Sequence, residues 1–219
     1  MHLDEALLRE ALAGPCPLPM LGNLIDLSNA RGAAVIVPVR LAPEPRAWLI
    51  LRASHLVDHA GEVGFPGGKP DPGDASLAHT ALRELAEELD VGAADVEIVG
   101  SLVPVPVITG RYLIHAFVGL LSDAAAPRVA SPEIARVIEL PIVPLLTGER
   151  TISAVEQRLG GVTFFAPHFE ADGAVLYGAS AYILYELLAR LAARIGRPLP
   201  PPALTDVIPW GDRYSRVRA

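Results

Sequence analysis

Residues 59–91 read HAGEVGFPGGKPDPGDASLAHTALRELAEELDV, and this stretch decides the fold. It opens as a turn. Phe65, a rigid Pro66 and two consecutive glycines, Gly67 and Gly68, let backbone approach a ligand or metal closely. A short polar loop follows, and from about Ser76 to Leu89 the pattern is helical. Residues three and four apart share a helix face, so Glu84, Glu87 and Glu88 converge, with Arg83 one turn from Glu87. Ala78, Leu82, Leu85 and Leu89 form the neighbouring apolar stripe, which packs while the other side presents carboxylates. A Glu-rich helix alone is usually a solvated face, and an i,i+4 pair such as Arg83–Glu87 adds only about 0.3 kcal/mol. The Gly-Gly turn at this spacing points further. Crowded acids repel unless a hard divalent cation sits among them, and the stretch is expected to hold Mg2+ or Mn2+.

The stretch resembles the Nudix box, Gly-x5-Glu-x7-Arg-Glu-U-x-Glu-Glu-x-Gly-U with U aliphatic. Arg83, Glu84, Leu85, Glu87, Glu88 and Val91 match its second half residue by residue. From Gly68, five residues lead to Asp74, and eight instead of seven lead on to Arg83. This longer loop with Asp resembles the coenzyme A pyrophosphatase branch of the family. So does the leader, Leu49-Ile-Leu-Arg52-Ala53 followed by His59-Ala-Gly-Glu-Val-Gly-Phe-Pro-Gly-Gly68. Two positions depart from the pattern. Val57 stands where that branch usually has Arg, and Asp90 where the box has Gly.

The resemblance implies a three-layer α/β/α sandwich with a mixed sheet, in which water attacks one phosphorus of a pyrophosphate. It also implies roles. Glu84 and Glu88 are expected as metal ligands, Glu87 as ligand or proton acceptor, and the Gly67 carbonyl as a further ligand. Arg83 would orient Glu87. Which glutamate is the base varies within the family. Arg52, His59 and Gly68 are expected at the substrate. Glu133 and Glu139 stand where many members supply a late acid, and are read as surface charges. His79, His115 and His168 have no metal-ligand spacing. Gly178-Ala-Ser180 could offer amides to an anion, although a helix start explains it equally.

Composition fits a compact enzyme. The 219 residues can bury a sizeable core, and net charge is −7 without a dense basic patch, which argues against nucleic-acid binding. A small phosphorylated substrate stays compatible, because metal ions supply positive charge locally. The hydrophobic share of 51% and mean hydropathy of +0.37 are high, yet Pro, Gly or charge breaks every apolar run before a membrane span of ~18 residues. No signal peptide is visible and the single Cys16 suits a reducing compartment, so a cytoplasmic location is expected.

The chain reads as an N-terminal helix and irregular extension (1–30), a catalytic domain (31–197) and a Pro-rich tail or strap (198–219). Helices are expected at Leu3–Leu12, Ser76–Leu89, Val143–Leu146 and Ala181–Ile195. Strands are expected at Ala33–Val39 and Ala47–Leu51 (a hairpin), Val96–Val103, Tyr112–Leu121 and Ile134–Leu140. Val162–Pro167 and Ala174–Leu176 are expected to form a late hairpin. Family members often pair, so the resemblance allows a homodimer. Two functions compete: a metal-dependent pyrophosphatase on coenzyme A, with NADH, ADP-ribose or another nucleotide as alternatives, and a Nudix-fold ligand-binding regulator without turnover. Retention of Glu84, Glu87 and Glu88 favours the enzyme.

Overall fold

A computed structural model describes residues 3–18, 25–159 and 161–211. The helices are α1 (Glu5–Ala13), α2 (Leu77–Leu89), α3 (Val143–Thr147) and α4 (Gly178–Arg194). The strands are β1 (Arg31–Arg40), β2 (Arg46–Arg52), β3 (Val63–Gly64), β4 (Gly67–Gly68), β5 (Val96–Ser101), β6 (Val105–Pro106), β7 (Tyr112–Leu121), β8 (Ile134–Pro141), β9 (Ser153–Leu159), β10 (Val162–Ala171), β11 (Ala174–Leu176) and β12 (Ala203–Leu204).

β1 organises the sheet. It runs parallel to β7 from Arg31↔Tyr112 to Val39↔Leu120 and antiparallel to both β2 and β4. Its near-continuous apolar run is what a strand covered on both faces needs. On one face Ala34 and Ile36 meet Ala81, Leu85 and Leu89 of α2. On the other, Val37 and Val39 share a core with Leu184, Leu187, Leu188 and Leu191 of α4 and with Leu8 and Leu12 of α1. Helices on both faces of a mixed sheet make the expected α/β/α sandwich. No helix among the described residues is long and apolar enough to cross a membrane.

α2 is positioned at both ends. Ser76 caps its start by accepting from the His79 N–H at 3.1 Å. At its end, Asp90 takes the left-handed conformation (φ 54°, ψ 36°), while the amides of Arg128 and Ala130 bond the carbonyls of Leu89 and Glu88 at 3.0 and 3.1 Å. These amides satisfy acceptors that a helix end leaves open.

Two expectations change. The sequence reading assigns no strand to 153–159, where β9 lies; its polar Glu156, Gln157 and Arg158 hide a strand pairing with Val162–His168. β10 continues past Pro167 to Ala171 and meets β11 across Asp172-Gly173, whose positive φ values of 50° and 75° suit a two-residue hairpin turn. After the Pro-rich run, β12 pairs parallel with β9 at Ala203↔Ser153 and Leu204↔Ala154; the rest of the expected tail, 212–219, lies outside the described residues.

Candidate active site

The turn at Val63–Gly68 is threaded into the sheet at both ends. β3 pairs with β2 (Leu51↔Val63) and β4 with β1 (Ala34↔Gly68, Val35↔Gly67). Between them Phe65 is buried and the Pro66 carbonyl accepts from the Ile36 N–H at 2.9 Å. Neither glycine has room for a side chain. A Cβ on Gly67 would strike the Ala34 carbonyl and Val35, and the Glu84 carboxylate fills the place of a Cβ on Gly68. The Gly-Gly pair therefore brings backbone and carboxylate into direct contact.

Glu88 lies on the packed side of α2, one position off the stripe read from the sequence, with its side chain 7% exposed. Its Oε2 accepts from the Gly67 N–H at 3.0 Å, and Oε1 is 3.7 Å from Arg52 Nη1. Burial pushes its carboxyl up to about 7; the Gly67 amide and Arg52 pull it down, while Glu84 and Glu133 push it up. Glu84 is also raised, first by burial, with Arg83 opposing. Two neighbouring carboxylates are thus held against the turn with incomplete compensation.

Arg83 is tied down on several sides. Its Nη1 meets Glu87 Oε2 at 3.0 Å, and Nη2 meets Glu84 Oε1 and the Lys69 carbonyl, both at 3.1 Å. The Asp74 carboxylate receives Arg83 Nε at 3.2 Å and Nη2 at 3.1 Å, the Thr80 hydroxyl at 2.9 Å and the Asp71 N–H at 2.9 Å. The Arg83 guanidinium, first among these, holds the Asp74 carboxyl well below the usual carboxylate range. Asp74, read only as a spacing marker, thus fixes the orientation of Arg83. The signal was the acid itself, six residues after Gly68.

The structure brings Glu84, Glu88, Gly67, Gly68, Arg83 and Arg52 together. Glu87 is not drawn in: it turns outward to Arg83 and is 57% exposed. Arg52 links the pair to Glu133, whose Oε2 lies 2.9 Å from its Nη2. Glu133, read as a surface charge, stands at the rim of the site because the Ala53 N–H bonds its carbonyl at 2.7 Å. Glu139 is the surface acid expected, paired with Arg46 at 3.6 Å. His59 (φ 57°) meets Glu62 Oε2 at 2.8 Å, which raises its pKa, and the Glu62 carbonyl accepts from the Arg52 N–H at 2.9 Å. Its link to the acids runs through Arg52. Gly178, with φ 66°, starts α4, and Ser180 Oγ lies against Gly64.

The donor chemistry fits a divalent cation. The candidates are all oxygen, which suits Mg2+ or Mn2+, and Glu84 and Glu88 are destabilised as anions by burial that a cation would offset. Among the described residues, no three acidic, His or Cys side chains are set around one point at metal-holding distance.

Comparison with known proteins gives the family. Residues 30–151 match the model of the NUDIX domain. The chain is 40% identical over 119 residues to an uncharacterized Nudix hydrolase, NudL, of Yersinia enterocolitica, covering 54% of this chain and 60% of that protein. It is 34% identical over 171 residues to the NudL of Salmonella paratyphi B, covering 76% of this chain and 85% of that protein. A solved Nudix hydrolase from Nitrosomonas europaea superposes with a TM-score of 0.48 at 15% identity, over 82% of this chain and 81% of that one. Nudix hydrolases act on small nucleotide derivatives with divalent metal ions. The box, the sandwich that presents it, the matched domain and the relatives converge: the chain belongs to the Nudix family of pyrophosphohydrolases.

Proposed function

We propose that the chain hydrolyses the pyrophosphate bond of coenzyme A or an acyl-CoA, releasing adenosine 3′,5′-bisphosphate and (acyl-)4′-phosphopantetheine. The observation that carries the hydrolytic part is the Glu84–Glu88 pair, Glu88 buried and Glu84 half-buried against Gly67–Gly68, with incomplete counter-charge. Both phosphates of the substrate repel a nucleophile, so catalysis needs charge neutralisation, positioning and a base. Glu84 and Glu88, with the Gly67 carbonyl and a released Glu87, would hold Mg2+ or Mn2+; when bound, the ion neutralises phosphate charge and lowers the pKa of a water. Water oxygen joins one phosphorus, the bridging oxygen leaves with the other, and Glu87 or Glu88 accepts the water's proton. Asp74 holds the Arg83 guanidinium in place when Glu87 leaves it. Arg52, one-quarter exposed beside Glu88, is placed to meet a phosphate oxygen.

The substrate assignment rests on the leader. Leu49–Ala53 carries Arg52 beside the acids, and the His59–Glu62 pair bonds back onto it through the Glu62 carbonyl. We assign 31–197 as the catalytic domain, with 1–30 and 198–219 as extensions, acting in the cytoplasm. The test is a screen at fixed magnesium with phosphatase-coupled release of phosphate. Coenzyme A is expected to outpace NADH and ADP-ribose; with uncharged Val57 98% exposed, its KM is expected to be high. A marked preference for NADH or ADP-ribose would overturn the substrate and leave the hydrolase.

A further inference from the structure

Not all of the cations near the site serve the box. Gly32 faces Leu77 of α2, so its neighbour Arg31 points to the other side of the sheet, the side of α4. Tyr112 pairs with Arg31 in the parallel β1–β7 ladder and shares that side. Lys69 reaches the same place: its Nζ lies over the Tyr112 ring, 5.5 Å from the centroid. Arg111 adjoins them, its carbonyl accepting from the Arg31 N–H at 3.0 Å. Arg31, Lys69 and Arg111 are exposed. Among the described residues none of the three has an acidic partner at ion-pair distance; Arg40, Arg158 and Arg197 also have none, and what sets Arg31, Lys69 and Arg111 apart is that they lie together beside Gly68.

The cluster is joined to the acids through the chain. Lys69 follows Gly68, which the Glu84 carboxylate touches, and its carbonyl holds Arg83 at 3.1 Å. A ligand with its pyrophosphate at Gly67–Gly68 therefore has these cations at the same end of β1 but on the opposite face of the sheet, one residue along the chain at Lys69. These few charges are too small a patch for a nucleic-acid backbone, which needs many phosphate contacts. They suit one compact dianion. Tyr112 holds the Lys69 ammonium in place by cation–π attraction, and Arg31 supplies a planar fork that matches a phosphate.

We propose that Arg31, Lys69 and Tyr112, flanked by Arg111, form a second anion subsite that takes the ribose phosphomonoester of a nucleotide whose pyrophosphate lies at Gly67–Gly68. This rests on the proposed reaction for the placing of the pyrophosphate. It gives the enzyme a cationic contact that exposed Val57 does not provide. The subsite selects nucleotides with a phosphate on the ribose over those without one.

Equilibrium binding in magnesium-free buffer tests it without turnover. Titration calorimetry compares adenosine 3′,5′-bisphosphate and adenosine 2′,5′-bisphosphate with AMP, on wild type, on the Arg31→Gln/Lys69→Gln double variant and on Tyr112→Leu. Wild type is expected to bind one bisphosphate about tenfold more tightly than AMP. The tighter isomer identifies the ribose position. The double variant should lose most of that preference with an unchanged melting temperature, since both cations are exposed, and Tyr112→Leu should lose part of it. No preference in wild type, or a preference intact in the double variant, overturns the subsite. Failure to hydrolyse coenzyme A would contradict the proposed reaction and leave this binding result standing.

Discussion

α2 and α4 each bury a glutamate, on opposite faces of the same sheet, with opposite consequences. In α4, Glu186 receives Arg190 Nε at 2.8 Å and the Val103 N–H at 3.1 Å, while Arg190 also bonds the carbonyls of Leu12 and Gly14. Donor and acceptor capacity are closely matched, and the pair fastens α1 and the loop after β5 to α4. In α2, Glu88 has one amide and a guanidinium at 3.7 Å, with Glu84 close enough to push its pKa up. A matched buried charge is a structural element; an under-matched one beside a like charge marks a place where a ligand is expected.

The largest effect that could break this contrast is on turnover. Glu88→Gln or Glu84→Gln should lower kcat by roughly three orders of magnitude and leave the melting temperature level or higher, because a neutral isostere replaces an under-compensated acid. Near-normal turnover in either variant would make the α2 acids ordinary. For α4 the pattern reverses. Arg190→Met strands Glu186 and should cost about 3–5 kcal/mol in urea unfolding, with kcat per folded molecule retained.

Acidity sharpens the comparison. The Glu88 carboxyl stands at about 7 in the folded chain against an ordinary 4.5. Between those values the folded state holds a proton that the unfolded state releases, so the metal-free stability contributed by Glu88 falls as pH rises from about 4.5 to about 7. A cation favours the ionised form. Added Mg2+ should therefore raise the melting temperature more at pH 8 than at pH 6; equal increments would contradict it.

The smallest effect concerns the end of α2. Asp90 holds a left-handed conformation that Gly adopts freely, but Asp90 also pairs with exposed Arg128. Asp90→Gly should gain under about 1 kcal/mol and leave kcat nearly unchanged. A large change in kcat would give Asp90 a part in the site.

The left-handed turn at Asp90 was legible because it depends on the residues beside it, as were α2, β7 and the β1–β2 hairpin, whose apolar periods are local. β9 was not, since SAVEQRL becomes a strand by pairing with β10 and β12. In the site, spacing put the three glutamates on one side of α2, but only the sheet decides which is buried. The Gly67 amide and Arg52 come from other strands to reach Glu88, and Glu87 is left to Arg83. Glu133 was read as a surface charge for the same reason, its place at the rim being set by a backbone bond to Ala53 that no sequence spacing reveals.

The most direct test of the under-matched acid is Mn2+ binding itself, followed by calorimetry at pH 7.5 on wild type, Glu88→Gln and Glu186→Gln. Wild type should bind with proton release, Glu88→Gln at least about tenfold more weakly, and Glu186→Gln like wild type. Equal Mn2+ affinity in wild type and Glu88→Gln would contradict the account.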